Sequence, residues 1–158
     1  MKKIFETSGD IQELAQDKFE DTNLAQIGIN LKILSVTKAK QILKISRVSA
    51  TTQFLTNKDV ILLVYEEAFD RLTDEFKERL MEGAFSNLFY DSEKDKLTVE
   101  SDFAKEIFRM RRKYPNYVDI AETSSMIIEE IEDEEKRRKE EEKLRKAEER
   151  AAKKRNKA

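Results

Sequence analysis

The chain has 158 residues, of which 41% are charged and 39% apolar, and its formal net charge is -2. This length suits one modest core with an appendage, and the small net charge excludes a protein that is a polycation as a whole. The absence of cysteine and histidine excludes disulfides, thiolate or imidazole metal ligands, and cysteine nucleophiles. No segment predicts a signal peptide or approaches the ~20 apolar residues that span a bilayer, so we expect a cytoplasmic protein with no membrane partner.

Apolar periodicity predicts a helix and two strands in the first third of the chain. The helix has a candidate cap at Thr7 or Ser8 and runs to about Phe19, with one apolar stripe. Alternating apolar residues predict a strand within residues 24–36 and another within residues 42–48. The short connection through residues 37–40 favours an antiparallel pair.

The central third is predicted to hold a buried strand and a long helix. The continuous apolar run of residues 59–65 is typical of a strand covered on both faces, and residues 66–72 predict a short helical turn. Thr73 then caps a helix predicted over residues 74–90, whose first turn is acidic. The predicted inward face of this helix consists of Phe76, Leu80, Ala84 and Leu88.

A short strand and another helix complete the predicted domain. Residues 91–95 read as a polar turn, residues 96–100 as a strand, and residues 102–114 as an amphipathic helix that Pro115 ends. The order of helices and strands predicts an α+β fold.

The last forty or so residues form a separate, highly charged segment. A helix is predicted from about Ser124, and its first turns hold Met126, Ile127, Ile128 and Ile131, which can dock on the domain. After Ile131 the apolar residues nearly stop, while acidic residues repeatedly precede basic ones by four positions, which supports an exposed helix. We therefore predict an α+β domain over residues 1–120 and a charged, largely exposed helical tail over residues 121–158.

Part of the domain resembles the phage metallopeptidase family, which has a zincin-like fold. The resemblance covers residues 41–108 and is carried, in order, by the strand at residues 41–46, the apolar strand leading into residues 59–75, and the helix and polar strand of residues 80–99. It implies a small zincin-like α+β domain in a phage-encoded protein, which would reside in the host cytoplasm.

The family's most specific motif is absent from this chain. In the family, the matching helix carries His-Glu-x-x-His; here Gly83 and Asn87 stand at the two histidine positions and Ala84 at the glutamate position. Residues 100–103, where a third histidine is expected, contain none. We call Gly83, Ala84 and Asn87 the vestigial positions. Because zinc needs imidazole, thiolate or carboxylate ligands, the resemblance implies no metal, no cofactor and no enzymatic activity.

Two features admit more than one interpretation. Gly83 lies inside a predicted helix, where glycine costs about 1 kcal/mol relative to alanine; it is either the relic of a metal pocket or a point of close packing against the sheet. Glu82, Asp91, Glu93 and Asp95 superficially match a calcium site, but the required glycine and distal glutamate are missing, which favours a solvated polar turn.

Two functions of different classes follow. The first is a non-catalytic interaction protein of phage type that binds a protein partner, such as a host, virion or replication component. The alternative is a nucleic-acid accessory protein in replication, recombination or repair, which retains a DNA-binding surface without protease activity. The candidate nucleic-acid face consists of Lys38, Lys40, Lys44, Arg47, Arg109, Arg111, Arg112 and Lys113. An ordinary solvated surface is the competing interpretation of these cations, because few aromatic residues lie among them.

Overall fold

A computed structural model of the chain describes residues 2–157 and shows the α+β fold that the sequence predicts. Its elements, in chain order, are β1 (Ile4–Glu6), α1 (Gly9–Glu20), β2 (Leu31–Val36), β3 (Leu43–Arg47), α2 (Ala50–Thr56), β4 (Val60–Tyr65), α3 (Glu66–Phe69), α4 (Asp74–Phe85), β5 (Leu88–Asp91), β6 (Lys96–Val99), α5 (Phe103–Lys113) and α6 (Tyr117–Asn156). The predictions of α1, β3, β4, α3, β6 and α5 are confirmed within a few residues. The sequence analysis missed β1, α2 and β5, and it assigned most of β5 to the preceding helix.

The main sheet has the strand order β1-β2-β4-β3, with β4 inside and β3 at one edge. Strand β4 runs parallel to β2 and antiparallel to β3. Val60, Leu62 and Val64 are fully buried on one face of β4, while the other face is half-buried. The most apolar strand therefore takes a position in which both of its edges are paired.

The predicted antiparallel pairing of the first two long strands is wrong. Strand β2 begins only at Leu31, because residues 24–28 form turns that contain Gly28 at a φ of +90°. The amide of Asn30 donates to Asp59 Oδ2 at 2.7 Å, which places the start of β2 beside the start of β4. Strand β4 then lies between β2 and β3. Alternation identified the strands, but it carried no information about which strands are neighbours.

Helix α4 is shorter than predicted. It ends at Phe85, where the hydroxyl of Ser86 donates to the carbonyl of Gly83 at 2.6 Å. The following residues form the β5–β6 hairpin, a separate two-stranded sheet. Asn87 therefore lies in the turn after the helix, and Leu88 lies on β5, although it is buried as predicted.

One core unites the sheet with helices α1, α4 and the first part of α6. Phe19 of α1 and Phe85 of α4 pack with ring centroids 5.5 Å apart. Helix α6 begins at Tyr117, seven residues before the predicted start, and it buries apolar side chains as far as Ile131. The predicted domain boundary after residue 120 falls inside this docked part of one continuous helix.

The rest of α6 leaves the domain. Residues 136–157, which we call the arm, are exposed throughout. Just before the arm, both terminal nitrogens of Arg71 bind the carboxylate of Glu134, at 3.2 and 2.9 Å. Within residues 2–157, no helix has a stretch that is long and apolar enough to cross a membrane.

Candidate functional site

The three vestigial positions lie together at the end of α4. Gly83 and Ala84 are on the last turn of the helix, and Asn87 follows it. All three are buried. The side chain of Asn87 forms a hydrogen bond with Glu106 of α5, and Glu106 forms another with Tyr117 of α6. The packing of these three helices therefore brings two further polar side chains to the place that the sequence singled out.

Gly83 is a point of close packing, and its neighbour is a helix instead of the sheet. A Cβ atom on Gly83 would overlap the hydroxyl of Tyr117 and would lie 2.7 Å from its Cζ atom. Tyr117 is itself fully buried and surrounded by core residues. Glycine is needed here because the tyrosine ring occupies the space of a side chain.

Glu106 is the centre of a buried polar network. The amide Nδ2 of Asn87 donates to its Oε1 at 2.6 Å, and the hydroxyl of Tyr117 donates to its Oε2 at 2.9 Å. The guanidinium of Arg109 donates to the side-chain oxygen of Asn87. The carboxylate thus has a donor on each oxygen, and a positively charged group lies one hydrogen bond further along.

Burial shifts the titration of this network. Desolvation raises the pKa of Glu106 above its ordinary value, although the donors Asn87 and Tyr117 and the nearby charge of Arg109 oppose the shift. Burial, and then the negative charge of Glu106, raises the pKa of Tyr117. The tyrosine therefore stays protonated and acts as a permanent donor to the carboxylate.

The sequence analysis did not single out Glu106 or Tyr117. A signal for Glu106 was available, because it lies on the side of α5 that also holds Phe103, Ile107 and Met110, where an apolar residue is expected. Nothing in the sequence indicated its partners, since Tyr117 lies on another helix and Asn87 in a turn.

A cleft of about 670 Å³ opens beside this network. Ala84, Asn87 and Glu106 contribute to its lining, together with Leu43 and Ile45 of β3. Three exposed lysines, Lys38, Lys40 and Lys44, line it as well, and the remaining lining includes Glu100, Ser101, Phe103 and Glu132. The cleft thus joins the vestigial positions to the edge of the main sheet.

Strand β3 has outward-facing backbone groups at this edge that form no hydrogen bond within residues 2–157. Its flanking bonds to β4 run from the Tyr65 amide to the Ile42 carbonyl at 2.8 Å and from the Val48 amide to the Asp59 carbonyl at 3.1 Å. Because ladder bonds alternate along an antiparallel strand, Leu43 and Ile45 direct their N–H and C=O groups away from β4. An edge of this kind accepts another strand.

The candidate nucleic-acid face is divided between separate locations. Lys38, Lys40 and Lys44 line the cleft, whereas Arg47 donates to the carbonyl of Leu97 at 2.8 Å and so connects β3 to β6. Phe103, at the start of α5, lines the cleft, whereas Arg111, Arg112 and Lys113 occupy the last turn of that helix.

Two of the predicted cations on α5 are engaged within the domain. Arg109 donates a hydrogen bond to the side-chain oxygen of Asn87, and its guanidinium carbon lies 5.2 Å from the centroid of the Phe89 ring. The Nε atom of Arg109 is buried and has no hydrogen-bond partner among the described residues. Lys113 forms an ion pair with Glu82. Burial raises the pKa of Glu82, but its hydrogen bonds from Lys113 and Tyr114 outweigh burial and lower the pKa. These contacts engage Arg109 within the domain, whereas the Lys113 side chain is 64% exposed and its ion pair lies at the surface.

The acidic turn after β5 has a structural explanation. The Asp91 Oδ1 atom accepts hydrogen bonds from the amides of Glu93 and Lys94 at 3.0 and 3.3 Å, and Asp95 has a φ of +46°. These are the features of a tight polar turn. Across the described part of the chain, no three His, Cys, Asp or Glu side chains are grouped so that they could hold a metal ion.

No family model, no curated protein and no solved structure matches this chain. The resemblance to phage metallopeptidases accordingly depends on the sequence segments that carry it, and it stays a prediction.

Proposed function

We propose that the protein is a non-catalytic interaction protein whose domain binds an extended segment of a partner protein along the free edge of β3. The observation that carries this proposal is the position of that edge: Leu43 and Ile45, whose backbone groups point away from β4, are among the residues that line a cleft of about 670 Å³. Main-chain hydrogen bonds to a sheet edge supply affinity, and pockets beside the edge supply selectivity.

The chemistry of the cleft supports a binding role over a catalytic one. Both oxygens of Glu106 already accept hydrogen bonds from Asn87 and Tyr117, so the carboxylate is positioned as an acceptor within the fold. Ser101 also lines the cleft, but the chain has no histidine that could activate a hydroxyl as a nucleophile.

The charges beside β3 favour an acidic partner segment. Lys38, Lys40 and Lys44 are exposed and lie along or next to the strand, so carboxylates on a bound segment would meet them. Phe103 and Leu43 supply apolar surface in the same cleft. We expect a partner segment in which acidic and apolar residues alternate, because successive side chains of a strand point to opposite faces.

The phage-type partner (a host, virion or replication component) remains an expectation from the resemblance. The nucleic-acid alternative gains no support from the domain, because its candidate cations are scattered and two of them are bound by acidic or amide side chains.

The proposal is tested with synthetic peptides of about ten residues that alternate Glu with Val, long enough to cover an edge strand. Calorimetry should detect binding to the full chain, and the variant Lys40→Gln/Lys44→Gln should bind at least tenfold more weakly. The matched control is Lys94→Gln/Lys96→Gln, which removes two exposed lysines of the β5–β6 hairpin outside the cleft. Equal weakening in both variants would show that only overall charge matters.

A second set of peptides tests the edge itself. N-methylation of alternate residues removes the donors on one side of an extended peptide and leaves the other side intact. One of the two methylation registers should abolish binding and the other should preserve most of it, because only one side can pair with β3. If both registers bind alike, the peptide does not add to the sheet and the proposal fails.

A further inference from the structure

The basic residues of the arm are sorted onto one side of the helix. Seven of them recur at alternating spacings of three and four residues, and an eighth lies beside this row. They are Lys136, Lys139, Lys143, Lys146, Arg150, Lys153, Lys154 and Lys157. At about 100° per residue, all eight fall within a stripe about 100° wide. No acidic or neutral side chain of the arm lies inside that stripe, which we call the basic stripe.

The remaining surface of the arm is mixed. Arg137, Arg138, Arg145 and Arg155 lie outside the basic stripe, among the five glutamates of the arm. The acid-before-base pairs that support the helix need only i,i+4 spacing and do not require the cations to share a side. Helix stability alone therefore does not explain the basic stripe.

We propose that the basic stripe binds the phosphate backbone of double-stranded nucleic acid without sequence preference. The arm spans about 32 Å as a straight helix, and B-DNA carries one negative charge per ~1.7 Å of its axis, so each cation of the stripe has phosphates within reach. The major groove, about 12 Å wide, admits an α-helix. The proposal concerns the arm alone and does not depend on the peptide site of the domain.

The composition of the arm argues against a membrane or a single strand as the ligand. Membrane-surface helices carry a broad apolar side opposite their cations, whereas Leu144 is the only large apolar side chain of the arm. Single-strand binding uses aromatic side chains on which bases stack, and residues 136–157 contain none. Lysine dominates the stripe, and lysine acts as a point charge for phosphate instead of a fork that reads bases.

The lysines of the basic stripe that form ion pairs with glutamates can exchange these partners for phosphates. Lys139 pairs with Glu135 at 2.8 Å and Lys146 with Glu142 at 2.6 Å, but all four side chains are more than one-third exposed. Exposed pairs of this kind contribute little free energy, so phosphates can replace the glutamates. Glu135 precedes the arm, and Glu142 lies just outside the border of the stripe.

A second copy of the chain is the competing occupant, because residues 129–135 are strongly acidic. That acidic segment is already partly neutralised within its own chain. Both oxygens of the Glu134 carboxylate accept hydrogen bonds from Arg71, at 3.2 and 2.9 Å, and Lys38 Nζ lies 3.9 Å from Glu135 Oε2. These contacts favour nucleic acid as the ligand of the basic stripe.

The test uses the full chain and a labelled mixed-sequence DNA duplex of about 20 base pairs, which is longer than the arm. Fluorescence anisotropy at salt concentrations between about 50 and 200 mM should give a log–log slope of about -4 to -7, as expected for five to eight phosphate contacts. A second duplex of scrambled sequence should bind with the same affinity. The absence of measurable duplex binding at the lowest salt would overturn the proposal.

A pair of variants with equal charge distinguishes the basic stripe from overall charge. Lys143, Lys146, Arg150 and Lys153 are changed to Gln in one variant, and Arg137, Arg138, Arg145 and Arg155 are changed to Gln in the control. Glutamine has nearly the same helix propensity as lysine and arginine, so the arm stays helical in both, which circular dichroism verifies. The stripe variant should lose at least a hundredfold in affinity and about four units of slope, and the control less than tenfold.

Two other outcomes would overturn the proposal. Equal losses in the two variants would mean that charge acts diffusely over the arm. A concentration-dependent dimer that the stripe variant abolishes, together with no change in duplex affinity, would assign the basic stripe to the acidic segment of a second copy.

Discussion

Replacing Gly83 with alanine tests whether the end of α4 is packed as the structure describes. Replacing glycine with alanine inside a solvent-exposed helix raises the free energy of unfolding by about 1 kcal/mol. At Gly83 the new methyl group would collide with the fully buried Tyr117, and overpacking of this kind costs about 1–3 kcal/mol. Displacement of the tyrosine hydroxyl would also leave Glu106 one donor short, which costs about 1–3 kcal/mol. We expect a net loss of about 3 kcal/mol.

The measurement is urea denaturation of the wild type, Gly83→Ala, Tyr117→Phe and the double variant. Removal of the hydroxyl relieves the closest contact, although the approach to Cζ at 2.7 Å persists, and it also removes in advance the donor that Gly83→Ala would displace. Gly83→Ala should therefore cost at least about 1 kcal/mol less in the Tyr117→Phe background. Gly9→Ala is the matched control, because nothing lies within 4 Å of its added Cβ, and it should be neutral or slightly stabilising. A Gly83→Ala variant as stable as the wild type, or one whose cost is unchanged without the hydroxyl, would refute the reasoning.

Four other predictions follow from the core, the network and the arm. Burial raises the pKa of Glu106 above its ordinary value of 4.5, so the unfolded chain releases this proton first as the pH rises. Between 4.5 and the raised pKa of the folded chain, the wild type should lose stability relative to Glu106→Gln by at most about 1.4 kcal/mol per pH unit. Denaturation of both forms at several pH values measures the difference in their stabilities; a difference that does not change with pH above 4.5 would contradict the prediction. Leu80→Ala and Leu88→Ala should each cost about 2–5 kcal/mol, while the exposed control Leu144→Ala should cost less than about 1 kcal/mol. Elemental analysis after dialysis should find no stoichiometric zinc, since the chain has no imidazole or thiolate ligand. Truncation after Glu135 should leave the melting temperature within a few degrees of that of the full chain, because the arm buries no side chain; a larger drop would show that the arm packs on the domain.

The elements themselves were predictable where a period was long and regular. Helix α1, the apolar strand β4 and the capped start of α4 followed from spacing and from Thr73, whose hydroxyl accepts from the Phe76 amide at 3.3 Å. The end of α4 was not predictable from its apolar stripe. Leu88 continues the helical spacing, yet residues 88–91 gain more from pairing with β6 across a tight turn. Tertiary pairing overrode local periodicity at that point.

The candidate site was only partly predictable for a related reason. Gly83 and Asn87 were identified through a motif that the chain lacks, and they do lie in one buried place. The residues that define the chemistry of this place, Glu106 and Tyr117, come from two later helices. A hydrogen bond between residues on different elements leaves no periodic trace in a sequence, so the network emerged only with the packing of α4, α5 and α6.

The net charge of the chain conceals its most useful electrostatic feature. The arm has twelve basic and five acidic residues and a net charge of +7, so the rest of the chain carries a net charge of -9. An acidic domain repels the same phosphates that the basic stripe would attract, and at moderate salt such repulsion decays over about 10 Å. The arm extends about 32 Å, or roughly three of these screening lengths, so most of the stripe lies beyond the reach of the domain's negative charge. Under the two proposals made above, segregation of charge along the helix would allow one chain to bind a peptide in the cleft and a duplex on the arm, and the length of the arm, as well as its charge, would then determine duplex affinity.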